Sequence, residues 1–236
     1  MNKSLAFVGR EERLAGLRTL YASRKSVVIV GPPGIGKTAL LIQVRLARPL
    51  LICEDSSSLR RICDSLERQL GWDHHKLNVI ERKNRLLVYL MRRDEPVAFD
   101  HAALIAPRVA RFIAMLNENI PVWIACRSTR RDAIGHLWEC IYDFTLVEIP
   151  PLTFSETQQL IFTAADAGNI QDDACRHGRE LYNMSKGNPR LLEELLIELA
   201  ARKYKMDTDF GLNLLGLDRR IHEIDTVIRA VAGPSK

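Results

Sequence analysis

The stretch from Ser26 to Thr38, SVVIVGPPGIGKT, joins a strand to a helix through a glycine-rich turn. Val27 to Val30 are four β-branched apolar residues in succession, the mark of a strand buried on both faces. Gly31, Pro32, Pro33, Gly34, Ile35, Gly36, Lys37 and Thr38 then complete the pattern G-x-x-x-x-G-K-[ST]. Behind it Ala39, Leu40, Leu41, Ile42, Val44 and Leu46 turn helical. Strand before and helix after is the context that makes this motif a phosphate-binding loop, the P-loop. Successive backbone N–H groups around Gly34 and Gly36 are expected to form a concave nest for phosphate oxygens. The helix starting near Lys37 adds the positive end of its dipole. A Cβ on these glycines would fill the space the phosphates occupy. Lys37 is read as the ammonium on the β- and γ-phosphates, and Thr38 as a hydroxyl offered to Mg²⁺. Pro33, Gly34, Ile35, Gly36, Lys37, Thr38 and Ala39 are therefore the expected cradle of a nucleoside triphosphate.

At 236 residues the chain can bury a full core, and 47% apolar with 27% charged residues is the make-up of a soluble globular protein. No apolar run approaches a membrane span, so no membrane contact is expected. The opening MNKSLAFVGREE lacks a long apolar stretch ahead of a cleavage site, so no signal peptide is expected either. The five cysteines, Cys53, Cys63, Cys126, Cys140 and Cys175, contain no C-x-x-C pair. An odd number at irregular spacing points to buried thiols in a reduced, cytoplasmic protein. His74 and His75 are adjacent but have no partner cluster, and are read as a solvated loop rather than metal ligands. A formal charge of +5 and a pI of about 9.0 permit contact with nucleic acid or an acidic partner. Basic residues are spread along the chain, with local clusters such as Arg127, Arg130 and Arg131.

Strands and helices alternate along the first part of the chain. Pro49 to Glu54 reads as a second buried strand, and Ser56, Ser57 or Ser58 as the cap of a helix over Leu59 to Leu70, ended by Gly71. Glu81 to Arg93 is amphipathic. Pro96 to Asp100, PVAFD, is an apolar strand ending in an aspartate, the form of a Walker B strand. A carboxylate at that edge sits beside the P-loop and orients Mg²⁺, usually through water. Pro107 to Asn117 predicts a helix with Val109, Phe112, Ile113 and Leu116 on one face. Pro121 opens the strand VWIAC, which ends at Arg127 and Ser128. Ile134 to Cys140 reads as a short helix and Phe144 to Ile149 as a fifth strand. Two prolines follow, and Thr153 or Ser155 caps the next helix. From there the pattern is helical: Glu156 to Ala167, Asp172 to Met184, Pro189 to Lys203, and a last amphipathic stretch from Leu217 to Val231. These elements predict an α/β fold, a parallel five-stranded P-loop sheet flanked by helices and followed by a small helical lid. The expected parts are a nucleotide-binding core over 1–150, a lid over 151–206 and a C-terminal helical stub over 207–236. Nucleotide is expected at the C-terminal edge of the strands, between core and lid.

Over residues 5–205 this pattern resembles the AAA+ and STAND (signal-transduction) branch of P-loop ATPases. FVGREE, Phe7 to Glu12, is similar to that branch's N-terminal box, which lies over the adenine; the resemblance implies Val8, Gly9 and Arg10 as nucleotide contacts. ACRSTRRD is similar to the Ser/Thr–Arg end of the STAND sensor strand. It implies Arg127 as the γ-phosphate sensor, with Arg130 and Arg131 as alternatives in cis or as a finger to a neighbouring subunit. PLTFSE resembles the lead-in to the helical lid, and Gly187 with Pro189 its G-x-P motif. That implies Pro189 packed on the base and Arg190 as second sensor. Hydrolytic members of the branch carry a second carboxylate after the Mg²⁺ aspartate, which polarises the attacking water; here the position is His101. A neutral imidazole accepts a proton but brings no negative charge to the water. Either His101 is an unusual base, or hydrolysis is slow, or the chain mainly binds; slow, switch-like hydrolysis is the favoured reading. The resemblance thus implies ATP/ADP and Mg²⁺ as cofactors, Lys37, Asp100, His101 and Arg127 as the catalytic set, and Thr38 and Asp100 as metal ligands. Adenine is favoured because no N-K-x-D guanine-reading motif occurs. A nucleotide-dependent switch would act on a protein partner, with a homo-oligomer left open. The alternative is a DNA-associated ATPase (an initiator, loader or transposition helper) assembled on DNA through its basic surface.

Overall fold

The computed structural model describes residues 7–73, 77–93, 95–167, 172–200 and 216. His74, His75, the helix expected over 217–231 and all of the 207–236 stub except Gly216 lie outside them.

Each run that reads as a strand forms one: β1 (Val27–Val30), β2 (Leu51–Cys53), β3 (Val97–Ala102), β4 (Val122–Cys126) and β5 (Thr145–Glu148). They pair in the order β2-β3-β4-β1-β5, and every pair is parallel. Parallel neighbours need crossovers, and helices supply them. After α1 (Glu11–Ala22), which precedes β1, they are α2 (Lys37–Ala47), α3 (Leu59–Leu70), α4 (Val79–Arg93), α5 (Pro107–Asn117) and the single turn α6 (Arg131–Ile134). The fold is therefore the α/β arrangement expected, a five-stranded parallel sheet with flanking helices. β4 lies between β1 and β3 and is buried throughout. Trp123 fills its centre without exposure, and its Nε1 donates to the Lys25 carbonyl at 3.1 Å. β5 closes one edge and is only half-buried on alternate residues.

Local chemistry explains where elements begin and end. Ser58 is the serine that caps α3, accepting from the Arg61 N–H, and Gly71 ends the helix in the left-handed region. α4 begins at Val79 rather than Glu81, because Asn78 Oδ1 accepts the N–H groups of Ile80 and Glu81 while Glu81 accepts from the Asn78 N–H. The helix expected over Ile134 to Cys140 is instead α6 and a 3₁₀ turn, His136–Glu139, broken at Gly135. The break lets the chain lie against Ile105: Ile105 N–H donates to the Ile134 carbonyl, and His136 N–H to the Ile105 carbonyl, each at 3.0 Å. Between α3 and α4, buried Arg82 donates to Glu67 Oε2 from Nε and Nη2 (2.8 and 2.6 Å) and to Asp64 Oδ1 at 2.6 Å. A buried guanidinium requires such partners, since without them it would be an uncompensated charge.

The chain divides into two compact units, Arg10–Pro150 and a second made of the residues from Pro151 on with those before Arg10. Residues 7–9 thus group with the second unit, whereas the sequence reading places them in the core. The second unit is helical: α7 (Phe154–Asp166), a 3₁₀ turn Asp172–His177, α8 (Gly178–Ser185) and α9 (Pro189–Ala200). Thr153 and Glu156 form a reciprocal capping box at the start of α7. The single helix expected over Asp172 to Met184 restarts as an α-helix at Gly178, which is buried. Leu160, Ile161, Leu181, Leu192, Leu195 and Leu196 form this unit's core, with Val8 packed against it. No described helix is long and apolar enough to cross a membrane.

Candidate functional site

The turn between β1 and α2 has the backbone its motif predicts. Gly34 and Gly36 adopt φ of +77° and +101°. At Gly36, the residue before α2, a Cβ would meet no atom within 4 Å, so the space in front of this backbone is open. Only glycine holds that φ without strain. Lys37 begins the helix and folds back, its Nζ donating to the carbonyls of Gly31 (2.6 Å) and Pro32 (3.0 Å). Burial holds the Lys37 ammonium below the usual lysine range, while the Asp100 carboxylate pulls the other way. Arg10 is buried, and its Nη2 donates to the Ile35 carbonyl at 3.3 Å, bracing the turn from behind.

Thr38 and Asp100, 62 residues apart, meet at the end of β3, where Thr38 Oγ1 donates to Asp100 Oδ2 at 2.7 Å. Asp100 is 2% exposed. Its other oxygen, Oδ1, accepts the His101 N–H at 2.8 Å. The sequence predicts a strand ending at Asp100; it runs to Ala102, but its pairing with β4 is irregular between Phe99 and Ala102. His101 sits in that irregularity with φ +52°. A non-glycine residue there costs about 1–2 kcal/mol. In a regular strand consecutive side chains point to opposite faces. The distortion instead brings the imidazole beside the carboxylate, with Nε2 3.4 Å from Asp100 Oδ2 and 3.5 Å from Thr38 Oγ1.

Arg127 follows β4 and is exposed; among the described residues it makes no hydrogen bond or ion pair. The two alternatives are engaged locally: Arg130 forks onto Asp132 with both bonds at 3.1 Å, and Arg131 lies 5.5 Å from the Trp138 ring centre. Cys126, at the end of β4, is buried, and burial pushes its thiol up to about 11. None of the five cysteines forms a disulfide.

The structure brings Arg10, the P-loop, Lys37, Thr38, Asp100 and His101 together in the first unit. Val8 and Gly9, expected beside Arg10, belong to the second. There Gly9 lies against Glu156 so closely that a Cβ would come within 2.8 Å of its side chain. Pro189 and Arg190 open α9 in the same unit, with Arg190 Nε donating to Glu194 at 3.0 Å. Asn188 caps that helix, its Oδ1 accepting the Arg190 N–H at 3.1 Å. Gly187 (φ +71°) lies against the Leu152 backbone, whose N–H donates to the Gly187 carbonyl at 2.8 Å. The bracing role of Arg10, the Asn188 cap and the Gly187–Leu152 contact are absent from the sequence reading. Only the cap carries a sequence signal, an asparagine directly before proline.

No protein-family model matches the sequence, and no curated protein matches it. Several solved structures share the fold. A Walker-type ATPase of Pyrococcus abyssi superposes with a TM-score of 0.68 at 14% identity, over 98% of this chain and 78% of that one. The Orc1 protein of Aeropyrum pernix, in complex with DNA, gives 0.63 at 15% identity, over 95% and 69%. A STAND protein with a tetratricopeptide repeat sensor from Pyrococcus horikoshii gives 0.50 at 19% identity, over 92% of this chain and 32% of its own length. The chain has the fold of the P-loop AAA+ ATPases.

Proposed function

We propose that this chain is an ATP-binding AAA+/STAND-type module that acts as a nucleotide-dependent molecular switch and hydrolyses ATP slowly. The observation that carries the reading is the Thr38–Asp100 hydrogen bond at the mouth of an open, glycine-shaped turn. A buried carboxylate and a helix-terminal hydroxyl at that spacing are hard oxygen donors that fit a divalent cation. Mg²⁺ held by Thr38 and Asp100 would neutralise phosphate charge. The amides of the turn bind phosphate oxygens, and Lys37 leaves the Gly31 and Pro32 carbonyls for the β- and γ-phosphates. Arg127, exposed at the end of the neighbouring strand, reads the γ-phosphate. The roles implied for Val8, Gly9, Pro189 and Arg190 remain part of this reading, as do a protein partner and a reducing, cytoplasmic setting. Slow turnover follows from His101. Its imidazole stands where a second carboxylate would polarise water, and brings no negative charge there.

ATP binding by calorimetry and turnover by phosphate release test this, with Lys37→Ala as control. Tight binding with little turnover, both lost in Lys37→Ala, is expected. An absence of binding, or turnover unaffected by Lys37→Ala, sinks the reading. The second reading, a DNA-associated ATPase, is favoured by the +5 charge and by the fold shared with an Orc1 protein solved in complex with DNA. Turnover rising several-fold with duplex DNA, and DNA binding that falls steeply with salt, would move the assignment there.

A further inference from the structure

Three donors converge where the ATP reading places one cation and two ligands. Asp100 Oδ2, Thr38 Oγ1 and His101 Nε2 stand 2.7, 3.4 and 3.5 Å apart in pairs. Neighbouring ligands around an octahedral ion with bonds near 2.1 Å are about 3 Å apart. The imidazole is there only because the backbone at His101 is left-handed and the strand's pairing is irregular. Strain of this kind, observed rather than assumed, points to a side chain whose position matters. The Asp100 carboxylate is in turn oriented by the His101 N–H, so one residue supplies a donor and aligns another.

We infer that His101 Nε2 is itself a ligand of the nucleotide's divalent cation, and that the site therefore favours a first-row transition-metal ion over Mg²⁺. The inference rests on the ATP reading and deepens it. Mg²⁺ takes oxygen ligands and keeps much of its water, whereas an imidazole nitrogen shifts a mixed N/O site toward transition-metal ions. A ring nitrogen bound to the cation is also unavailable to take a proton from water, a second reason for slow turnover.

The test uses the full chain with Mn²⁺ and a non-hydrolysable ATP analogue, calorimetry for analogue binding, and pulsed electron paramagnetic resonance at the bound Mn²⁺. The wild type is expected to show ¹⁴N coupling of a directly bound imidazole, and His101→Asn to lose it. Asparagine is the control because it tolerates a left-handed backbone and offers an oxygen. Displacing Mn²⁺ should need at least about tenfold more Mg²⁺ in the wild type than in His101→Asn. Analogue and Mn²⁺ bound without ¹⁴N coupling, or coupling that survives in His101→Asn, overturns this inference and leaves the ATP reading standing. No binding of the analogue overturns both. If His101→Asn fails to fold, the wild-type spectrum still decides.

Discussion

Two turns at the C-terminal edge of one sheet use the left-handed backbone for opposite ends. After β1 it falls on Gly34 and Gly36, where it carries no steric penalty. After Asp100 it falls on His101, and again on Leu104 (φ +45°), both with full side chains and a cost of about 1–2 kcal/mol each. On the function proposed here the first turn would work through its amides, so an absent side chain is an advantage. The second presents an imidazole, so glycine, although easier on the backbone, would remove the group being presented. On that reading, left-handed backbone marks a ligand surface in the first turn and a positioned side chain in the second.

Another left-handed glycine gives the comparison its control. Gly187 is left-handed because the chain there runs against the Leu152 backbone. Gly187→Ala would drive a Cβ into the Leu152 carbonyl and is expected to destabilise the protein by about 3 kcal/mol, read by chemical unfolding. Gly36→Ala should behave differently. Its Cβ meets no protein atom, so stability should fall only by the backbone strain at φ +101°, without the clash that Gly187→Ala adds, while ATP affinity should drop about 100-fold by calorimetry and the circular dichroism spectrum is kept. Equal losses of stability at the two positions would erase the distinction between packing and ligand space. Next in size, His101→Glu restores a carboxylate, and turnover should rise about tenfold or more. Unchanged turnover would show that the missing carboxylate is not what limits the rate.

The β-branched run of β1, the P-loop and the strand carrying Asp100 are legible in the sequence because each is a local pattern with a physical cause. The site around His101 is legible in composition but not in geometry. Period-two alternation sends Asp100 and His101 to opposite faces, and nothing in PVAFDHA announces the irregular pairing that brings them together. Arg82 and Glu67 read as ordinary charges on amphipathic helices, because their burial depends on how α3 meets α4. FVGR reads as one group, yet Gly9 and Arg10 fall in different units, a division set by long-range packing. The break at Gly135 likewise comes from Ile105, a residue distant in sequence.

The smallest expected effect is the most direct trial of the comparison. His101→Gly removes the strain at φ +52° along with the imidazole. The imidazole is 72% exposed, so little packing is lost with it. Relief of the left-handed penalty is partly offset by the greater freedom of glycine in the unfolded chain, leaving a net gain of about 0.5–1 kcal/mol. For a chain of this size that is a rise in Tm of about 1–3 °C by calorimetry. A stabilised His101→Gly protein that has lost ¹⁴N coupling at bound Mn²⁺ would mean that the fold tolerates a less favourable backbone in order to hold a side chain for the ligand, the exchange of stability for function expected at a site. A lowered Tm would mean that the imidazole stabilises the end of β3 through Asp100 and Thr38, and the strain would then need no ligand to explain it.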